Sequence, residues 1–416
     1  GVNNSFPGGL PDAGLTDWFS ASGSVMPGTS VTIVFGIADL GDDILDSAVL
    51  VDNLQFSSLE ILDGDDDQFR QGNDLTNNSN TLAQGGEARV GICADGTARL
   101  LLRMNLPAPG TVDFSIQNFV NATESGALGN PGAAPQGGLL QVNSVNTPQG
   151  DKAFAVYRAP LDFVRAGTPA DANARSRNLV IDITYTPQVG PPQMSMATLI
   201  IERPPVVLCH GLWSGPATWG GFAPLIGDAR WDFNRVDYSN NNGGRISINR
   251  FQVRRASRAA RGAKNRRGIA SVQLDWIGHS MGSLLARSFA ATGFWIRPDN
   301  FGSGDLHKLV TVNTPHWGSP MANILVGIRG TFFIGDLLII GMERLGMTVV
   351  GGAIDDLAEG STALRAIGAT AVQTHAIVGI GGSQAIGVAD IGFGVAAALS
   401  PPPFSALFRL LNVLSF

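Results

Sequence analysis

The sequence predicts β-sandwich material over its first two hundred residues, followed by an α/β domain with a mostly parallel sheet and helices on both faces. Three observations carry this. Up to residue 202, short runs alternate apolar and polar residues with period two, and no convincing 3.6-residue period appears. At Arg203-Pro204-Pro205 the character of the chain changes. Beyond it, strand-like runs alternate with helical ones, as crossover connections between parallel strands require. The expected division is a β-sandwich-like module over 1–75, a second β-rich, Ig-like module over 76–203, and the α/β domain over 204–416.

The elements follow in order. Alternation predicts strands at 30–38, 46–56, 98–106, 111–117, 152–158, 179–185 and 196–202, separated by Gly, Pro, Asn and Asp clusters such as 126–138 and 186–193. In the second half, strands are expected at 206–209, 233–238, 272–277, 308–313 and 374–380. Helices are expected at 247–264 and 281–292.

The chain has 416 residues, 44% hydrophobic and 15% charged, which excludes a disordered polyelectrolyte. A net charge of −6 gives no support to nucleic-acid binding. The charge is uneven: residues 1–100 hold three arginines against fifteen carboxylates, so the acidic excess lies at the front. Two cysteines, Cys93 and Cys209, fall in different expected domains and read as free core thiols. No basic-then-apolar leader is legible, and the longest apolar stretch, 331–352, is interrupted by Asp336, Glu343 and Arg344, so no transmembrane span is expected.

The chemistry centres on Gly278-His279-Ser280-Met281-Gly282. It follows the apolar run 272–277 and opens the helical segment 284–290. G-x-S-x-G alone is a weak signal, but a serine between strand and helix is lifted above the sheet, and tight turns of this kind need small flanking residues. The position at a helix N-terminus favours a developing negative charge. A second element is the short apolar run 206–209 ending in His210-Gly211. The plainer reading of the first feature is a Gly-rich βα turn, and of the His210 side chain a residue that shapes its loop.

Together with Thr314-Pro315-His316-Trp317-Gly318-Ser319, and with the stretch 353–361, these motifs resemble the bacterial lipase and esterase branch of the α/β-hydrolase family over about 204–380. The resemblance implies that Ser280 is the nucleophile and that the backbone N–H groups of Leu212 and Met281 form the oxyanion hole. Gly278, His279 and Gly282 would complete the nucleophile elbow. It implies a carboxylic ester or lipid substrate and requires no cofactor. Residues 37–49 loosely resemble β-rich accessory modules of bacterial surface proteins, which implies an extracellular or cell-surface location.

The family's triad order is serine, acid, histidine. Three histidines follow Ser280, at 307, 316 and 375. His307 and His375 are expected just before strands, at the wrong end of the sheet, and His316 occupies a structural position of its motif. After residue 380 the only carboxylate is Asp390, and no histidine follows. The favoured expectation is that the last strand and its histidine lie beyond Phe416. The alternatives are that His316 serves as the base or that the domain is a non-catalytic part of a surface-binding protein.

Other features are secondary. Apolar segments within 321–350 read as a lid over an acyl pocket, exposing apolar surface for contact with a lipid interface when it opens, or as core helices. Trp213, Trp219 and Trp317 are candidates for the substrate pocket or for packing. Eight basic residues between Arg250 and Arg267 read as a solvated helix face, with anionic lipid as the alternative. Asp39, Asp42, Asp43, Asp46 and the run Asp63 to Asp67 offer hard oxygen ligands for Ca²⁺ in the N-terminal module, or common acidic turns.

Overall fold

Period-two patterning becomes two β-sheets in the computed structural model, which describes residues 58–64, 82–222, 226–329, 334–344, 347–370 and 372–379. The first sheet contains β1 (Ser58–Asp63), β3 (Arg99–Asn105), β8 (Gly150–Arg158) and β5 (Ala127–Gly129) in that order, with β7 (Val145–Thr147) against β8. All its pairings are antiparallel. The second contains β2 (Gly91–Cys93), β10 (Gln193–Glu202), β9 (Ser176–Pro187), β4 (Gly110–Ile116) and β6 (Leu139–Asn143). β1 precedes the boundary expected after residue 75, and its partner β3 follows it.

Alternation decides which face each strand buries. β9 turns Leu179, Ile181, Ile183 and Tyr185 inward, and β4 turns Val112, Phe114 and Ile116 inward. They meet Leu100, Leu102 and Met104 of β3 in a core shared by both sheets. Leu101 points the other way and packs with Leu62, Leu82, Phe154 and Val156. Each fully buried side chain of this size contributes about 1.5–3 kcal/mol.

The second half is built on a parallel sheet, β12 (Phe233–Val236), β11 (Val206–Cys209), β14 (Leu274–His279), β15 (Leu306–Val312) and β16 (Gln373–Ile377), in that spatial order. The chain runs outward from β11 to β12 and then crosses back to β14. Direction therefore reverses between β11 and β14, and the region beyond their C-terminal ends is where open α/β sheets generally bind ligands. The helices are α1 (Ile246–Asn249), α2 (Gln252–Asn265), α3 (Met281–Ala290), α4 (Pro320–Arg329), α5 (Ile334–Arg344), α6 (Ala353–Leu357) and α7 (Thr362–Ile367).

Each of these helices contributes to one core with Val207, Cys209, Trp276 and Leu309. The alternate residues Val206 and Leu208 join Trp219, Trp231 and Ile277 in a smaller cluster. Helices were expected on both faces. Among the described residues, the second cluster is instead covered by the 3₁₀ segment Pro216–Phe222 that carries Trp219.

The expected helix over 247–264 divides into α1 and α2, and the expected strand over 272–277 lies two residues later. A strand not foreseen, β13 (Ile269–Ala270), joins the second N-terminal sheet beside β2. The basic helix α2 exposes Arg255 and Arg258 but buries Arg261 and Lys264, so its charge is only partly a solvated face. Cys93 and Cys209 are free and buried, and burial pushes the Cys93 thiol up to about 12. Among the described residues, no helix is long and apolar enough to cross a membrane, and no group of side chains could hold a metal ion. The strands expected at 30–38 and 46–56, Asp39, Asp42, Asp43, Asp46, Asp65 to Asp67, Asp390 and the segment 401–416 lie outside the described residues.

Candidate active site

β14 ends at His279 and α3 begins at Met281, so Ser280 alone makes the turn, at φ 53° and ψ −126°. A positive φ is uncommon for a residue with a Cβ and costs about 1–3 kcal/mol, which the surroundings must offset. They do so with a closed set of hydrogen bonds. Ser280 N–H donates to Val312 O at 2.9 Å and Ser283 N–H donates to Ser280 O at 3.3 Å. Ser283 Oγ donates to Gly278 O at 2.6 Å and accepts from Thr314 Oγ1 at 2.8 Å. Trp276 Nε1 donates to Gly282 O at 3.1 Å. A Cβ at Gly282 would lie 2.5 Å from the carbonyl oxygens of Cys209 and His210, and at Gly278 2.4 Å from Ser283 N, so the small residues are required sterically.

β11 pairs with β14, with Cys209 opposite Gly278, which delivers His210 and Gly211 beside the turn. A Cβ on Gly211 would sit 2.7 Å from Ser280 Cβ and 3.2 Å from its Oγ. His210 is fully buried and stacks on Tyr238 with centroids 4.3 Å apart. Tyr238 N–H donates to His210 Nε2 at 3.4 Å, so the ring proton is on Nδ1, which donates to Gly211 O at 3.0 Å. Tyr238 Oη donates to His210 O at 2.7 Å. Burial lowers the His210 pKa, and the neutral ring acts as a brace for the Gly211–Leu212 backbone. Met281 is buried at the first position of α3, where a helix leaves N–H groups without intrahelical partners. Leu212 is half-buried on the loop after Gly211.

The three tryptophans separate, and Trp219 is a packing residue, buried with Val206 and Leu208. Trp213 adopts φ 53°, is half-buried, and donates from Nε1 to Thr348 O at 2.9 Å. Trp317 is 90% exposed. The structure sets Trp213 next to the Gly211 loop and leaves Trp317 without a buried face.

Every other described histidine has a place of its own. His316 Nδ1 accepts from Arg287 at 2.7 Å, and its Nε2 meets Thr311 Oγ1 at 3.2 Å. His307 lies on β15 rather than before it, with Nδ1 2.9 Å from Asp275 Oδ1. His375 lies in the middle of β16 and is exposed. His279 has a buried Nδ1 without a hydrogen-bond partner, and burial, with a contribution from His210, lowers its pKa. Among the described residues no imidazole is hydrogen-bonded to Ser280. Two carboxylates of the motif stretch 353–361 are also engaged elsewhere: Asp355 with Arg329, and Asp356 with Arg245 at 2.8 Å and Ile246 N–H at 2.8 Å.

Sequence reasoning passed over Ser283 and Tyr238, and took Thr314 only as part of its motif. Ser283 had a signal, a hydroxyl set among the apolar residues of the first half of α3. Tyr238 had none, because its role is a contact across 28 residues.

Residues 204–332 match the model of a family described as the alpha/beta hydrolase fold. No curated protein matches the chain in sequence. Among solved structures it is similar to the NocB thioesterase domain in covalent complex with a fluorophosphonate nocardicin G analog, at 15% identity over 42% of this chain and 85% of that one, TM-score 0.25. It is similar to the lipase of Staphylococcus hyicus at 15% identity over 40% and 57%, TM-score 0.23. It is also similar to a hyperthermophilic esterase from the archaeon Pyrobaculum calidifontis at 15% identity over 49% and 74%, TM-score 0.27.

Proposed function

We propose that this α/β-hydrolase domain, to whose family residues 204–332 belong, cleaves carboxylic esters of the lipase or carboxylesterase class through Ser280. The observation that carries the reading is the strained Ser280 turn with Gly211 packed against it. In this mechanism Ser280 Oγ attacks the ester carbonyl as its proton passes to a base. The negative charge on the former carbonyl oxygen is held by the N–H groups of Leu212 and Met281. The tetrahedral intermediate collapses, the alcohol departs with a proton, and water then hydrolyses the acyl-enzyme. An oxyanion donor of this kind is worth roughly 3 kcal/mol.

The ring nitrogens of His210 and His316 are all hydrogen-bonded to other groups, and His307 sits at the opposite end of the sheet, which weighs against each of them as the base. An apolar acyl group and contact with a lipid interface belong to the same proposal. They are supported by exposed Trp317 and by exposed Val350, two residues beyond the Thr348 carbonyl that binds Trp213. The lack of an imidazole at Ser280 among the described residues favours one second reading, a surface-binding protein with an inert hydrolase fold.

Fluorophosphonate labelling with imidazole in solution separates the two. An adduct on Ser280, absent from Ser280→Ala and accelerated by imidazole, supports a nucleophile in search of its base. No adduct with or without imidazole selects the inert fold.

A further inference from the structure

The foot of the strand that carries Ser280 is held by the other half of the molecule. Asp95, 1% exposed, lies just after β2. Its Oδ1 accepts the N–H groups of Thr97 at 2.9 Å and Ala98 at 2.7 Å. Its Oδ2 accepts those of Val272 at 2.9 Å and Gln273 at 3.0 Å. Val272 and Gln273 join β13, a strand of the N-terminal sheet, to β14, which leads to Ser280. Thr97 Oγ1 adds a bond to Gln273 Oε1 at 3.1 Å. Immediately afterwards the β14–β15 register shifts between Leu274 and Asp275.

Charged groups beside this foot are shared in the same way. Buried Lys264 of α2 binds Glu202 of β10 and Asp232, each at 2.7 Å, and the Arg203 carbonyl at 2.9 Å. The Arg203 guanidinium lies between the rings of Phe163, at 4.2 Å, and Trp231, at 4.4 Å, and donates to Asp171 O and Ala172 O. An isolated half would leave the Asp95 carboxylate, the Lys264 ammonium or the Arg203 guanidinium buried without partners, or exposed through unfolding. Interfaces between tethered domains are ordinarily less committed and permit relative motion.

We propose that residues 82–203 and the α/β-hydrolase domain are obligate folding partners: the β-rich half is a surface fitted to this chain's own nucleophile strand rather than a detachable accessory module. Asp95 holds the entry to β14, where a slip of one residue would turn every following side chain to the opposite face. This holds whatever reaction Ser280 performs, so it survives or fails separately from the ester-hydrolase reading.

Hydrogen exchange of the full chain across a urea series, read by mass spectrometry, tests it. Peptides from β3–β4 and from β14–α3 should lose protection at one common midpoint. Asp95→Asn leaves an amide NH₂ facing two N–H donors, and should speed exchange in both regions at least tenfold at a fixed urea concentration. Two distinct wild-type midpoints would overturn the proposal. So would acceleration by Asp95→Asn confined to residues 91–98 and 269–273. If the variant does not fold, the wild-type series alone decides.

Discussion

Arg287 donates to Nδ1 of His316 at 2.7 Å, and this bond settles which nitrogen of the ring carries its proton. A guanidinium has no acceptor, so Nδ1 is unprotonated and the proton is on Nε2, facing Thr311 Oγ1 at 3.2 Å. The ring links Arg287 of α3 to Thr311 of β15, an arrangement that speaks against a role as the base for Ser280. His316→Gln should therefore leave fluorophosphonate labelling of Ser280 within about threefold of the wild-type rate, while costing about 1–2 kcal/mol of stability through the lost bonds. A hundredfold fall in labelling, with the fold intact by circular dichroism, would restore His316 as the base.

Three histidines share a pH consequence. Burial is the largest cause of the lowered pKa at His210, His279 and His316. The unfolded chain, with ordinary values near 6.5, then binds protons that the folded protein does not. Their stabilising effect is fully present above that value and is lost as pH falls below it, by at most about 1.4 kcal/mol per pH unit for each histidine. Urea midpoints should decline between pH 7 and pH 5, before carboxylates titrate. A flat profile over that interval would show that these rings accept protons in place.

Ser280 and Gly211 should be coupled. Because Ser280 has φ 53°, Ser280→Gly relieves backbone strain that Ser280→Ala retains. The glycine variant should be more stable than the alanine variant by about 1–2 kcal/mol. Gly211→Ala brings a methyl within 2.7 Å of Ser280 Cβ, and should cost about 1–3 kcal/mol in the wild type but much less alongside Ser280→Gly. Denaturant unfolding of the four proteins measures the cycle, and additive effects would mean that the two residues do not touch.

How far the sequence reveals this arrangement depends on the range of the interaction. The strand at 206–209, the elbow at 278–282 and the helix after it are local patterns, and each lies where period and turn chemistry place it. What escaped is non-local. β13 is two residues long and has no period of its own; it is a strand because β2 accepts it as a neighbour. Lys264 and Arg261 read as surface charge because their partners, Glu202 and Asp299, lie 62 and 38 residues away. His307 was expected before its strand and lies within it, at the register shift where Asp275 binds it.

The hydroxyls behind the elbow provide the last test. Ser283 is fully buried, and its Oγ both donates to Gly278 O and accepts from Thr314 Oγ1, so it ties the residue before the turn to the loop after β15. Removing it deletes two hydrogen bonds, one of them to the Gly278 carbonyl, while Thr314 Oγ1 keeps a second acceptor in Val312 O at 3.4 Å, so the cost should be about 1–2 kcal/mol. Thr314→Val removes only the outer hydroxyl, and Ser283 keeps its bond to Gly278, so its cost should be smaller. If the elbow is held from behind in this order, Ser283→Ala should lower both the urea midpoint and the rate of labelling at Ser280, and Thr314→Val mainly the midpoint. The reverse ranking would place the restraint on Ser280 elsewhere, in its N–H bond to Val312 O at 2.9 Å.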